Sequence, residues 1–212
     1  MYAQPCFREE RREVLVEAIR EIRLAVIVTE AGGYHATHAP MVARERGGSL
    51  VLQTHFARGN QHWQAVAAGA PPSVAIFQGP QAYISPSWYA SKRAHGKVVP
   101  TWVYVAVHAH GRLSAHDDAG WLADHLAALT DHNEHARPEP WQVSDAPADY
   151  MARMMRGIVG IELAVDRLEG SWKLNQHKDE DDRLGVIAGL GAGTPEEAAV
   201  SGLMRALEEE RR

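Results

Sequence analysis

Ser85-Pro86-Ser87-Trp88-Tyr89 sets two hydroxyls and two aromatic rings around a proline that restricts the backbone. Hydroxyls and backbone amides bind phosphates or ring carbonyls, and aromatic rings stack on planar heterocycles. Loops that only connect rarely carry rings this large, so a ligand wall is one reading and a turn with Trp88 folded onto the core is the other. Lys97, and then Trp172-Lys173-Leu174-Asn175-Gln176-His177, repeat the combination of cation, amide and ring. A fourth stretch, His55 to Asn60, lies where a strand ends and a helix begins. Unpaired N–H groups at a helix start favour an anion, and Arg58 beside them could complete a phosphate pocket. The plainer alternative has Asn60 capping the helix and Arg58 solvated. A planar, anionic ligand suits this set.

Other chemistries find less support. The twelve histidines include His108 and His110 on one strand face, His35-x-x-His38 and His132-x-x-His135. No His-Glu-x-x-His helix and no calcium-loop spacing accompanies them, so they read as polar-face or hydrogen-bonded histidines and no metal is expected. There is no Gly-x-Ser-x-Gly elbow and no Walker loop. Gly189 to Gly193, GLGAG, lacks the preceding strand that a dinucleotide fingerprint needs. Asp179 to Asp182 reads as a helix cap and a solvated face.

The 212 residues, 45% of them hydrophobic, can bury a full core in one domain, with room for a small helical annex. A formal net charge of −5 leaves no basic field to draw nucleic acid, which weakens a DNA-binding reading and leaves it open. A single cysteine, Cys6, forbids an intrachain disulfide and points to a reducing cytoplasm. No apolar signal region and no stretch of membrane-spanning length is present, so a cytoplasmic protein with no membrane attachment is expected.

The elements that position these residues follow from periodicity. Leu15, Ala18, Ile19 and Ile22 put a helical face on Arg8 to Ile22. Leu24–Thr29, Tyr34–Val42 and Ser49–His55, joined at Gly32-Gly33 and Gly47-Gly48, predict a three-stranded antiparallel meander. A short helix then buries Trp63, Val66 and Ala67, and Ser73 to Gln78 is a strand. Thr101 to His110 alternates Val103, Val105 and Val107 against Trp102, Tyr104, His108 and His110. Asp117 or Asp118 caps a helix through Leu129, another runs to about Arg156, and Ile158 to Leu168 is the last strand. Two helices close the chain, the second behind a Thr194-Pro195-Glu196-Glu197 capping box. Six or seven strands with peripheral helices predict a mainly β, α+β fold built on a small antiparallel barrel.

Over MY-x-x-P-x-F, ATHAP at Ala36 to Pro40, HFARGNQHW at His55 to Trp63, FQGPQAYISPSWY at Phe77 to Tyr89, KVVPTWVYVAVH at Lys97 to His108, IVGIE at Ile158 to Glu162 and WKLNQHK at Trp172 to Lys178, the chain resembles the PaiB family. These proteins are described as FMN-binding negative transcriptional regulators. The resemblance implies an antiparallel FMN-binding split barrel over residues 1–190, followed by a C-terminal helix at 191–212. It also implies a homodimer with flavin at the subunit interface. Carried over by position, Arg58 and Asn60 correspond to the phosphate end. Ser85, Ser87, Trp88 and Tyr89 correspond to the pocket wall, which Lys97, Thr101 and Trp102 continue, and Lys173 and Gln176 close the site. The family pattern has asparagine where this chain has Val103, a residue that alternation turns away from Trp102 toward the valine face.

Three functions follow: a flavoprotein of PaiB type in gene regulation, a small FMN-dependent oxidoreductase, or a split barrel that holds heme. No helix-turn-helix or basic stripe is evident, so regulation would run through a partner or small-molecule chemistry.

Overall fold

The structure, a computed structural model, describes residues 1–211. Helix α1 (Arg12–Ile22) forms where Leu15, Ala18 and Ile19 recur at helical spacing, and these are buried together with Val16. It begins four residues later than its sequence suggests. Arg8–Glu9 is instead a short strand, β1, paired antiparallel with Ser171 and Gly170, and the Glu9 carboxylate accepts the Arg11 backbone N–H at 2.9 Å. A partner strand has thus claimed the backbone that would have opened the helix.

Two hairpins follow. Strands β2 (Leu24–Glu30) and β3 (Tyr34–Pro40) turn through Gly32 and Gly33, at φ 68° and 140°. Strands β4 (Val42–Arg46) and β5 (Ser49–Ala57) turn through Gly47 and Gly48, at φ 58° and 82°. Positive φ is open to glycine without a Cβ clash, which explains these pairs. The expected meander is corrected. With β6 (Pro72–Ile84), β7 (Thr101–His116) and β8 (Ile158–Lys173), the strand order is β3-β2-β6-β7-β8-β5-β4, with β1 beside β8. The two hairpins stand at opposite ends of that order. The chain breaks at Met41, whose N–H is taken by Arg23 O at 2.9 Å, so Tyr34 to Val42 is not one strand. The pairings β1–β8, β2–β3, β2–β6, β4–β5 and β5–β8 are antiparallel.

The remaining helices are α2 (His62–Ala67), α3 (Ala90–Ala94), α4 (Ala119–Glu134), α5 (Ala148–Met155), α6 (Glu180–Gly191) and α7 (Pro195–Glu210). Helix α2 buries His62 and Val66, whereas Trp63 is half-buried and Ala67 exposed, contrary to expectation. Asp118 caps α4, its Oδ1 accepting the Trp121 N–H at 2.8 Å.

The chain divides into two compact units. The first gathers Met1–Leu15, Gln78–Val107 and Glu169 onward; the second gathers Val16–Phe77 and His108–Leu168. The first unit's core packs Ile84, Tyr89, Val103, Val105 and Leu174 with Val186 and Leu190 of α6 and Val200 and Met204 of α7. Val103 is fully buried there, on the face turned from Trp102, as its alternation predicts. Helix α7 carries the expected capping box: Glu197 N–H donates to Thr194 Oγ1 at 3.3 Å and Thr194 N–H to Glu197 Oε2 at 2.7 Å. Thr194→Ala is expected to lower stability by about 1 kcal/mol in chemical denaturation, the usual loss of an N-cap.

Candidate functional site

In the first unit, Ser85 Oγ accepts the Ser87 N–H at 3.2 Å and opens a single 3-10 turn, Pro86–Trp88. Lys92 Nζ donates to Ser87 Oγ at 3.0 Å, so one hydroxyl of this stretch already has a cation beside it. Two glycines of α6 place Trp88. A Cβ at Gly185 would lie 2.2 Å from the Trp88 carbonyl oxygen, and one at Gly189 would lie 2.5 Å from its ring. Trp88 therefore lies against a groove made by glycines four residues apart, which is also why GLGAG begins with glycine. Tyr89 is 1% exposed, its ring in the core and its hydroxyl accepting from Asn175 Nδ2 at 3.3 Å. Burial pushes its pKa up.

Thr101, Trp102 and Lys173 come from the strand ends. Lys173 Nζ donates to Thr101 Oγ1 at 3.2 Å and lies 5.7 Å from the centre of the Tyr104 ring. Trp102 is 54% exposed and meets Tyr83, 46% exposed, edge to face at 6.1 Å. Two large rings left in solvent against each other are an unusual use of apolar surface. Gln176 acts locally, its Oε1 accepting the Leu174 N–H at 2.8 Å while its Nε2 donates to Trp172 O, which closes a turn in which Asn175 takes φ 62°. Lys97 lines a separate small cavity with His177 and Lys178.

Arg58 and Asn60 belong to the second unit. Arg58 is not a free, solvated cation: it pairs with Asp117 through both terminal nitrogens and donates to the carbonyls of Arg156 and Ile158. That pairing raises the Arg58 pKa and lowers that of Asp117. The N-cap of α2 is Gln61, not the expected Asn60; Asn60 lies one residue earlier, its Oδ1 accepting the His62 N–H at 3.0 Å and its Nδ2 donating to Thr37 Oγ1 at 3.0 Å. Thr37 Oγ1 in turn meets His62 Nδ1 at 2.9 Å.

Several contacts escaped the sequence, although the helical periodicity turns Trp121 and His125 inward. His62 is buried with Nε2 unpartnered and stacks on His35 at 5.4 Å. His125 is 1% exposed, its Nε2 meets His55 Nδ1 at 3.1 Å, and its Nδ1 is unpartnered. Trp121 stacks between His125 and His116, over Gly160, where a Cβ would come within 2.2 Å of its ring. Glu162 is buried and accepts from Gln53 at 2.8 Å and Arg46 at 3.1 Å. The acidic run is corrected at Asp182, which is 3% exposed and accepts from Ser91 N and Oγ at 2.9 and 2.8 Å. One sequence signal was available. The chain's only lysines are Lys92, Lys97, Lys173 and Lys178, all in the first unit, and among the described residues none is ion-paired with a carboxylate.

The architecture is that of solved split-barrel flavin proteins. It superposes on the FAD and heme binding protein from Mycobacterium smegmatis with a TM-score of 0.59 at 18% identity, over 88% of this chain and 80% of that one. It superposes on the flavocytochrome Anf3 from Azotobacter vinelandii with a TM-score of 0.54 at 13% identity, over 86% and 78%. The chain thus has the split-barrel fold. Residues 1–167 match the family described as "Putative FMN-binding domain". The protease synthase and sporulation protein PAI 2 of Bacillus subtilis is 31% identical over 90% of this chain and 89% of its own length. An uncharacterized protein of Emericella nidulans is 29% identical over 97% and 96%. The chain belongs to this FMN-binding-domain family and is of the PaiB type.

A flavin would need hydroxyl and cationic donors for a phosphate and an exposed ring for its heterocycle. The first unit supplies both kinds of group, in Ser85, Ser87, Thr101, Lys173 and Trp102. The residues fit the group. Bound, a flavin would supply one- and two-electron transfer, and the protein's part is to hold and orient it.

Proposed function

We propose that the chain is an FMN-binding protein of PaiB type that works as a homodimer in the cytoplasm. The observation that carries this reading is the exposed Trp102, which shares a strand face with Tyr104, the ring that Lys173 Nζ approaches at 5.7 Å while it bonds Thr101 Oγ1. Trp102 offers a stacking face, while Lys173 and Thr101 offer a point charge and a hydroxyl that a phosphate monoester would favour over an uncharged flavin. Ser85, Ser87 and Lys92 extend the same donor set. Arg58 and Asn60, in the second unit, are bonded to Asp117 and Thr37, and this reading does not depend on them. Tyr83 and Trp102 together form an apolar face of the kind a second copy covers. A role as negative transcriptional regulator is part of the proposal. With a net charge of −5 it would act through a partner or through flavin chemistry, not through a basic DNA-reading surface. Among the described residues no helix is long and apolar enough to cross a membrane.

Reconstitution with FMN, FAD and riboflavin, read by visible spectrum and fluorescence quenching, tests the reading. FMN is expected to bind stoichiometrically and more tightly than riboflavin. Lys173→Ala is expected to weaken FMN about tenfold or more, the loss of one charge-assisted contact worth roughly 1.4 kcal/mol. Uptake of none of the three flavins, or a Soret band in their place, would overturn it.

A further inference from the structure

The first unit also holds a polar cavity that the flavin reading leaves unexplained. It has a volume of about 230 Å³ and is lined by Ser91, His95, Lys97, His177, Lys178 and Asp182, with Asp179 also bordering it. Its carboxylates and cations are not equivalent. Asp182 is already satisfied by Ser91 N and Oγ; burial pushes its carboxyl up, but those bonds and the charge of Lys178 bring it below the ordinary value. Asp179 is exposed at the N-cap of α6 and makes no side-chain capping bond. Among the described residues, neither Lys97 nor Lys178 has a carboxylate within ion-pair distance, although Lys178 acts on Asp182 at longer range. Lys178 Nζ lies 5.1 Å from the centre of the Tyr89 ring, a contact that holds the ammonium without neutralising it.

His177 reports the outcome of these charges. Burial lowers its pKa first, and Lys178 and Lys173 lower it further. His177 is steadied edge to face on Phe7 at 5.3 Å. A concave site that sets two ammonium groups and two imidazoles beside a buried carboxylate already bonded to Ser91 suits a compact dianion with several acceptor oxygens.

We propose that this cavity binds a phosphate group, with Lys97 and Lys178 as its cations and His95 and His177 as its ring N–H donors. The group is either a free phosphate or phosphate ester, or the phosphate of the flavin itself. Only the second source rests on the flavin reading, and it would seat that phosphate here in place of Lys173 and Thr101.

Inorganic phosphate titrated into the flavin-free chain, followed through the His95 and His177 ring resonances, tests it. Saturable binding is expected, with the His177 titration midpoint moving up as the anion offsets the lysines. Lys97→Gln with Lys178→Gln is expected to weaken binding at least about tenfold, as the loss of two charged contacts implies, while Arg153→Gln, in α5 of the second unit, leaves it unchanged. Repeating the titration on FMN-loaded and riboflavin-loaded protein separates the sources. Loss of the response with FMN alone assigns the site to the flavin phosphate, and retention with both assigns it to a separate ligand. A response that does not saturate, or that survives the double substitution, means an adventitious ion only and overturns the proposal. Because the first titration needs no flavin, its failure is distinct from failure of FMN to bind.

Discussion

Lowering the pH from 6.5 to about 4 is expected to remove several kcal/mol of conformational stability, and two histidines account for most of it. His62 and His125 are held down to a pKa of about 4, both chiefly by burial, with His35 adding to the first and His55 and Arg44 to the second. Both are therefore neutral in the fold at pH values where the unfolded chain, with midpoints near 6.5, already binds protons. Stability is full above about pH 6.5, falls as the pH drops through this window, and the loss saturates below about 4. A displacement of that size corresponds to about 3 kcal/mol for each histidine, a large share of the roughly 5–15 kcal/mol that holds a typical domain. The surroundings explain why neither ring readily accepts a proton. His125 already meets His55, and Arg44 is near; His62 is stacked on His35. Denaturation midpoints measured from pH 7.5 to 4.5 should fall steeply, and His125→Phe or His62→Phe should flatten the slope whatever it does to stability at pH 7.5. A flat profile in the unsubstituted protein would exclude this account.

Gly185→Ala is expected to destabilise the protein, although alanine is the better helix former. The propensity gain in a helix interior is about 1 kcal/mol. Against it stands a Cβ placed 2.2 Å from the Trp88 carbonyl oxygen, a backbone atom that cannot swing aside as a side chain would. Forced overpacking typically costs about 1–3 kcal/mol, so the steric effect wins and α6 must move away from the Ser85–Tyr89 turn. Gly202→Ala in α7 is the matched control. Its Cβ would meet nothing within 4 Å, and it should raise stability by up to about 1 kcal/mol. Thermal unfolding of the two variants should therefore move in opposite directions. If they move together, Trp88 is not held by α6 in the way the glycines indicate.

The sequence was most legible where a local rule and the global fold agree. Gly32-Gly33 and Gly47-Gly48 named both hairpins, Asp118 and Thr194 named their helix starts, and the alternation of Val103 against Trp102 separated core from exposed face. It failed where the deciding partner is remote. Nothing near Tyr34 to Arg46 says that the two hairpins lie at opposite ends of the strand order, since that depends on β6, β7 and β8. Asp182 looked like one of four solvated acids because Ser91, its partner, is 91 residues away. Arg58 looked free because Asp117 is 59 residues away. For the candidate site, residue types were readable, but their pairings were not. Lys173 on Thr101 and Trp88 on Gly189 both require two strands or helices to be in place first.

The three-segment make-up of the first unit has a bearing on how the chain is made. Its opening residues pair with a strand more than 160 positions downstream, Arg8 opposite Ser171. During synthesis from the N-terminus, Met1–Leu15 and Gln78–Val107 must wait for Glu169 onward before their core can close. The second unit's segments end at Leu168 and can consolidate sooner. Maturation should therefore be limited by late, long-range closure, which is slow by its topology, and the Ser85–Tyr89 turn and its lysines would acquire their final partners only as α6 emerges.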